Sequence, residues 1–188
     1  MELAEAISGR RSIRMFDGRE VEKDLIGQLI TAATYAPSRM NTQPWHFHVA
    51  VGESRKAVAE VMAMTTAYLE EYLDILGPEG VEHAARFYAD LGSAPVVIAV
   101  ASPVTGDPSV DRDNAISVGA AIQNLLLTAH DLGLSSCSIS SPHWIRDRLR
   151  SVFKMVEGWE IISLVVLGYG AEEPHERVRH TDVVTYLT

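Results

Sequence analysis

Close behind the amino terminus, the stretch RRSIR sets Arg10, Arg11 and Arg14 around Ser12. Guanidinium groups are permanently charged, forked donors, and with a hydroxyl beside them they match what a phosphate monoester binds. The same residues also read as a solvated surface in which the arginines pair with Glu2, Glu5 and Asp17. A second basic pair, Arg177 and Arg179 in EEPHERVRH, lies far along the chain, two residues apart and so on one side of an extended tail. The third stretch is APSRMNTQPWHF, where Ser38, Asn41, Thr42 and Gln43 donate and accept hydrogen bonds together. That chemistry suits a heteroaromatic ring edge, a flavin or a base; a capped turn leading into a buried Trp45 explains the same residues.

Other constellations carry less. His46 and His48 stand two apart on a strand without a third ligand at useful distance, so no metal site follows. Gly168-Tyr169-Gly170 lacks the third glycine and the helix of a dinucleotide fingerprint. Cys137, the only cysteine, makes no internal disulfide and reads as a small buried residue rather than a nucleophile. Arg146, Arg148 and Arg150 read as a solvated helix face, and Trp144 and Trp159 as core or subunit contact. Tyr68 and Tyr72, four apart on a helix, can line a pocket mouth and stack on an aromatic acceptor, though helix packing accounts for that spacing too.

The elements that must position these residues follow from periodicity. Leu3, Ala6 and Ile7 fit a short first helix ended by Gly9; a second runs from about 22 to 36, closed by Pro37. HFHVAVG reads as a strand with Phe47, Val49 and Val51 on one face. Helices over about 53–76 and 79–91 are separated by GPEG, and APVVIAVAS follows as a strand buried on both faces. The strongest helix spans 111–132, with Ala115, Ile116, Gly119, Ile122, Gln123, Leu126 and Ala129 on one stripe and Gly133 as its stop. LSSCSIS and EIISLVVLG complete at least four strands among long helices, an α+β class. No repeat or low-complexity segment divides residues 1–188, which read as a single domain.

With 16 basic against 25 acidic residues the net charge is -9, which argues against general attraction to nucleic acid or anionic membranes. No segment approaches the roughly 20 apolar residues of a membrane span, and no signal-peptide pattern opens the chain, so a cytoplasmic location is expected.

Taken in order, RRSIRMF, APSRMNTQPWHF, the helix DNAISVGAAIQNLLLTAHDLGL and the closing LGYGAEEPHERVR resemble the nitroreductase family of FMN-dependent oxidoreductases over nearly the whole chain. The resemblance implies a homodimer of mainly antiparallel sheets flanked by helices, with two FMN sites at the subunit interface. It gives Arg10, Arg11, Ser12 and Arg14, with Arg177 and Arg179, to the ribityl phosphate and its surroundings, Arg14 standing near the flavin N1 and C2 carbonyl. Pro37, Ser38, Arg39, Asn41 and Gln43 approach the flavin from the partner subunit. Where relatives carry a Glu-Gly pair near the flavin N5, this chain has SISSPHW, making Ser140 and Ser141 the positional matches. A helical excursion over about 62–91 covers the substrate side. The implied cycle is ping-pong: NADH or NADPH reduces the flavin, which then reduces a small acceptor such as a nitroaromatic or quinone. Dehalogenation, enoate reduction or flavin breakdown on the same scaffold, and a flavin-binding dimer without turnover, are the competing readings.

Overall fold

Because VVIAVASP has no polar alternation, it can only be a strand covered on both sides, and it forms β2 (Val96–Pro103) at the centre of the sheet. The protein is described by a computed structural model that places residues 1–140, 143–174 and 178–187, without the His143 side chain. β2 lies between β1 (His46–Val51) and β4 (Trp159–Gly168), and β3 (Ser135–Ile139) pairs with β4, giving the order β1-β2-β4-β3. All three pairings are antiparallel. Strand alternation sends Val97 and Ala99 of β2 to one face and Val96, Ile98 and Val100 to the other, so one sheet carries two cores.

On the second of these faces α5 (Pro108–Asp131) packs with α2 (Lys23–Thr34). Asp107 caps α5 by accepting from the Ser109 amide at 2.8 Å, Pro108 pre-sets the first turn, and Gly133 leaves the helix at φ +74°. Val118, Ala121 and Leu125 are wholly buried, and burial of each side chain as large as Val or Leu stabilises by about 2 kcal/mol. The opposite face is covered by α3 (Gly52–Ala63), the end of α4 (Leu73–Asp90) and α6 (Arg146–Val152), while α1 (Leu3–Gly9) touches α5.

Three local expectations are corrected. In β1 the buried residue is Ala50, and Val49 and Val51 are 38% and 43% exposed. α3 folds straight back from β1 and seats Val58, Ala59 and Met62 against the Ala50 face. In α5 the expected stripe holds in the second half, where Ile122, Leu126 and Ala129 are buried, but not in the first: Asn114, Ser117, Val118, Ala121 and Leu125 face in, whereas Ile116 is 66% exposed and Gly119 has nothing near its missing Cβ. Gly77 does break the helical backbone at φ +68°, ψ 170°, yet a 3-10 segment, Met64–Tyr72, already separates α3 from α4 before GPEG is reached. Among the described residues no helix is long and apolar enough to cross a membrane.

Candidate functional site

Residues 10–17 run along the open edge of β3 and are fixed by backbone bonds to segments remote in sequence. The Ile13 amide donates to Ser136 O at 3.1 Å, the Phe16 amide to Gly92 O at 2.8 Å, and the Asp17 amide to Tyr169 O at 3.0 Å. From the other end of the chain, the Ala171 amide donates to Met15 O at 2.9 Å, and the Arg14 amide donates to Glu172 Oε1 at 2.5 Å. Gly92 is required here: a Cβ on it would stand 1.7 Å from Arg14 O, at a left-handed φ of +60°. The arginine segment and the chain beyond β4 are thus laced together.

Between them lies a recess of roughly 210 Å³ lined by Arg10, Arg11, His130, Ser135, Glu172 and Pro174, among others. Two helices end at it, α1 through Gly9 and α5 through His130, and helix C-termini are electronegative. Arg11 answers this by donating to Ser8 O at 2.5 Å and Arg10 O at 2.9 Å. Arg10 is differently placed: its Nε is buried without a hydrogen-bond partner. The surface reading of the cluster fails, because Asp17 pairs with Arg19 at 2.6 Å and Glu5 accepts from the Glu2 amide. Among the described residues, Arg10, Arg11 and Arg14 form no ion pair. A cationic recess containing an orphaned buried guanidinium nitrogen fits the phosphate of a flavin mononucleotide.

Around this segment the titratable groups are few. Burial pushes the Cys137 thiol up, against the pull of the Arg14 charge and a hydrogen bond with Ser12, so Cys137 stays a neutral core residue. Ser12 is exposed beside it. β3 leads from Ser135 at the recess to the exposed Ser140, five residues or about 16 Å along the strand. Ser138, within that strand, bonds Ser163 Oγ at 2.6 Å. Ser141 and Arg177 lie outside the described residues, and Arg179 is exposed.

The polar loop after α2 is built differently. Met40, Asn41 and Gln43 all have positive φ, 50°, 56° and 49°, an arrangement that costs non-glycine residues of order 1 kcal/mol or more each. Ser38 Oγ accepts from the Gln43 amide at 3.0 Å, Gln43 Nε2 donates to Asn41 Oδ1 at 3.2 Å, and Trp45 anchors the end in the core. Arg39 reaches α5 through Asp113 at 3.2 Å and Ser117 at 3.3 Å. A second recess, of roughly 300 Å³, lies here between Pro37, Ser38, Arg39, Ile116, Ser117 and Ala120. Asp113 and His130 mark the two recesses on α5, and 17 residues at 1.5 Å separate them by about 26 Å. One chain does not bring its two candidate clusters together.

On the cover, Tyr68 packs against Trp144 with ring centroids 4.9 Å apart, and both remain partly exposed. Tyr72, 39% exposed, lies near Tyr88. The His46 and His48 rings lie 4.6 Å apart and tilted by 57°, and no group of three or more metal-ligating side chains occurs among the described residues. Sequence reasoning passed over Gly92, Glu172, Ser135 and Ser136. The glycine in LGSAP was the one available signal, and nothing local marks the others.

The model of the nitroreductase family matches residues 7–169. A Methanothermobacter thermautotrophicus protein assigned as an NADH dehydrogenase/NAD(P)H nitroreductase is 32% identical over 183 residues, covering 94% of this chain and 82% of that protein. A 4-nitrobenzoate reductase of Pseudomonas putida is 28% identical, covering 88% and 84%. In fold, the chain is similar to an iodotyrosine deiodinase solved with FMN and 3-iodo-L-tyrosine, with a TM-score of 0.83, 21% identity and full coverage of both chains. A family match across the arginine segment, the polar loop, the sheet and the long helix leaves one conclusion: the chain belongs to the nitroreductase family.

Proposed function

We propose that this protein is an FMN-dependent oxidoreductase that takes electrons from NADH or NADPH and passes them to a small acceptor such as a nitroaromatic or quinone. The observation that carries the reading is the recess where the chain's two ends meet, with Arg10 Nε buried and unpartnered. In this reading Arg10 holds the phosphate, Arg11 neutralises the end of α1, and Ser12 and Arg14 continue along the flavin. Arg177 and Arg179 join the phosphate from the tail. Ser140, just beyond the far end of β3, stands in this reading where the ring chemistry takes place, with Ser141 next to it in sequence. When bound, FMN supplies hydride acceptance and donation; the protein supplies position and electrostatics. NAD(P)H and acceptor use the same space in turn, under the cover over 62–91 with Tyr68 and Tyr72 at its mouth.

Separation of the two clusters along α5 supports a homodimer in which Pro37, Ser38, Arg39, Asn41 and Gln43 of one chain complete the site of the other. The exposed Ile116 and Gly119 of α5 give a second helix room to approach. Similarity to a 4-nitrobenzoate reductase supports a nitroaromatic acceptor. Similarity in fold to the deiodinase supports a second reading, reductive dehalogenation on the same flavin. Purified protein that is yellow, bleaches anaerobically with NADH or NADPH and recovers colour with a nitroaromatic is the expected result. Recovery with 3-iodotyrosine and not with the nitroaromatic would select the second reading, and colourless protein that takes up no FMN would defeat both.

A further inference from the structure

Arg55, on the first turn of α3, is the only charged residue buried among those described, at 9% exposure. A guanidinium is costly to bury unless its donors are satisfied, and here all of them are aimed at one short stretch of chain. Nε donates to Ala94 O at 2.6 Å, Nη1 to the Asp90 carboxylate at 2.5 Å, and Nη2 to Asp90 O. The Asp90 carboxylate is 55% exposed, so solvent screens that ion pair, and the bonds to the two carbonyls do most of the holding.

Those carbonyls bracket three successive left-handed residues, Leu91, Gly92 and Ser93, with φ of 47°, 60° and 62°. Glycine adopts that region freely, but Leu91 and Ser93 are strained in it, and such a turn persists only where its surroundings over-determine it. Arg55 supplies that constraint from another helix. The turn in its place meets the arginine segment: Gly92 O accepts from the Phe16 amide at 2.8 Å, and the Gly92 Cα stands against Arg14 O with no room for a Cβ. Arg55 is therefore two contacts from Arg14, yet it lines neither recess.

We propose that Arg55 is a positioning residue for the flavin site: by holding the Leu91–Ser93 turn it fixes the backbone of residues 14–16, and so the direction in which Arg14 reaches the flavin. This rests on the flavin reading above. A lysine at this position keeps the charge but cannot bridge two carbonyls and a carboxylate, because the planar fork is lost.

The test is a double-mutant cycle on FMN affinity, read by quenching of flavin fluorescence in wild type, Arg55→Lys, Arg14→Met and the double variant, at a temperature where circular dichroism shows each to be folded. Each single substitution is expected to weaken FMN binding about tenfold, and the double variant also by about tenfold rather than a hundredfold, since misdirecting Arg14 and deleting it remove the same interaction. Arg55→Met, of similar length and without a charge to bury, replaces Arg55→Lys in the cycle if the ammonium prevents folding, with the same result expected. Unchanged affinity in the Arg55 variant, or losses that multiply as those of a residue serving only packing would, overturns the proposal and leaves the flavin reading intact. Wild-type protein that binds no FMN overturns both.

Discussion

Residues 10–17 are held from outside, by backbone bonds to β3, to Gly92 and to the 169–172 stretch, whereas residues 37–43 hold themselves, through Ser38, Gln43 and three strained φ angles. The first region presents side chains into a recess that the chain closes around it. The second presents amides outward, with Met40 83% exposed. A segment stiffened at an energetic cost and then left facing solvent is pre-organised for something the single chain does not supply. In the proposed dimer that something is the other subunit's flavin.

The largest effect should come from the first region. Arg10→Glu is expected to weaken FMN binding by about a thousandfold, from the loss of two charge-assisted bonds at roughly 2 kcal/mol each, with an unchanged circular dichroism spectrum. Retention of normal flavin content would remove Arg10 from the site and with it the contrast between the two regions.

Gly92→Ala comes next. Its added Cβ meets the Arg14 carbonyl at 1.7 Å, so the clasp must open, at about 3 kcal/mol, and the thermal midpoint and flavin content should fall together. Gly27→Ala is the control, since a Cβ there meets nothing within 4 Å and in α2 should stabilise by up to about 1 kcal/mol. Loss of flavin in the control would show that the coupling is not local.

Complementation sharpens the comparison further. If residues 37–43 serve the other subunit, Asn41→Asp and Arg10→Glu homodimers are each inactive. Random mixing of the two should then restore about a quarter of the sites, because one of two sites is intact in each hybrid. No recovery on subunit exchange, verified by mass spectrometry, would place both clusters in one chain's site or remove the loop from it.

The smallest effect lies in the strand that follows the loop. Burial, and then the neighbouring His46, hold the His48 imidazole below its ordinary value of 6.5. The unfolded chain therefore takes up the proton first as pH falls, so this contribution to stability is complete above pH 6.5 and is lost as pH drops through the folded value. His48→Gln should flatten a denaturation-against-pH curve in that range, and an unaltered slope would mean that His48 is not its source.

Much of this was legible beforehand. Helices α2 and α5 and strand β2 announce themselves by period, as does the Gly133 stop, while α5 starts at the Asp107-Pro108 cap, three residues before the 111 expected from periodicity. Faces were harder. The α5 stripe holds at Ile122, Leu126 and Ala129, yet in the first half of the helix the chain buries Asn114, Ser117 and Val118 and leaves Ile116 and Gly119 outside, because the face that meets the sheet also carries Val118, Ala121 and Leu125. In β1, small Ala50 is covered and Val49 and Val51 are not, since alternation shows which residues share a face but not which face the helix that follows will cover.

By itself, the order of residues determined which groups are available for chemistry: guanidiniums near each end, a polar loop after a proline, an apolar strand and one long helix. Those depend on side-chain identity and on short-range periodicity, which a linear string contains. The tertiary structure alone decided that residues 10–17 and 169–172 share one clasp, that Arg11 turns to α1 while Arg10 Nε is left without a partner, and that the polar loop sits about 26 Å from the recess. Such facts arise from contacts between residues up to 158 positions apart, as Arg14 and Glu172 are, and only packing of the whole sheet brings them into register.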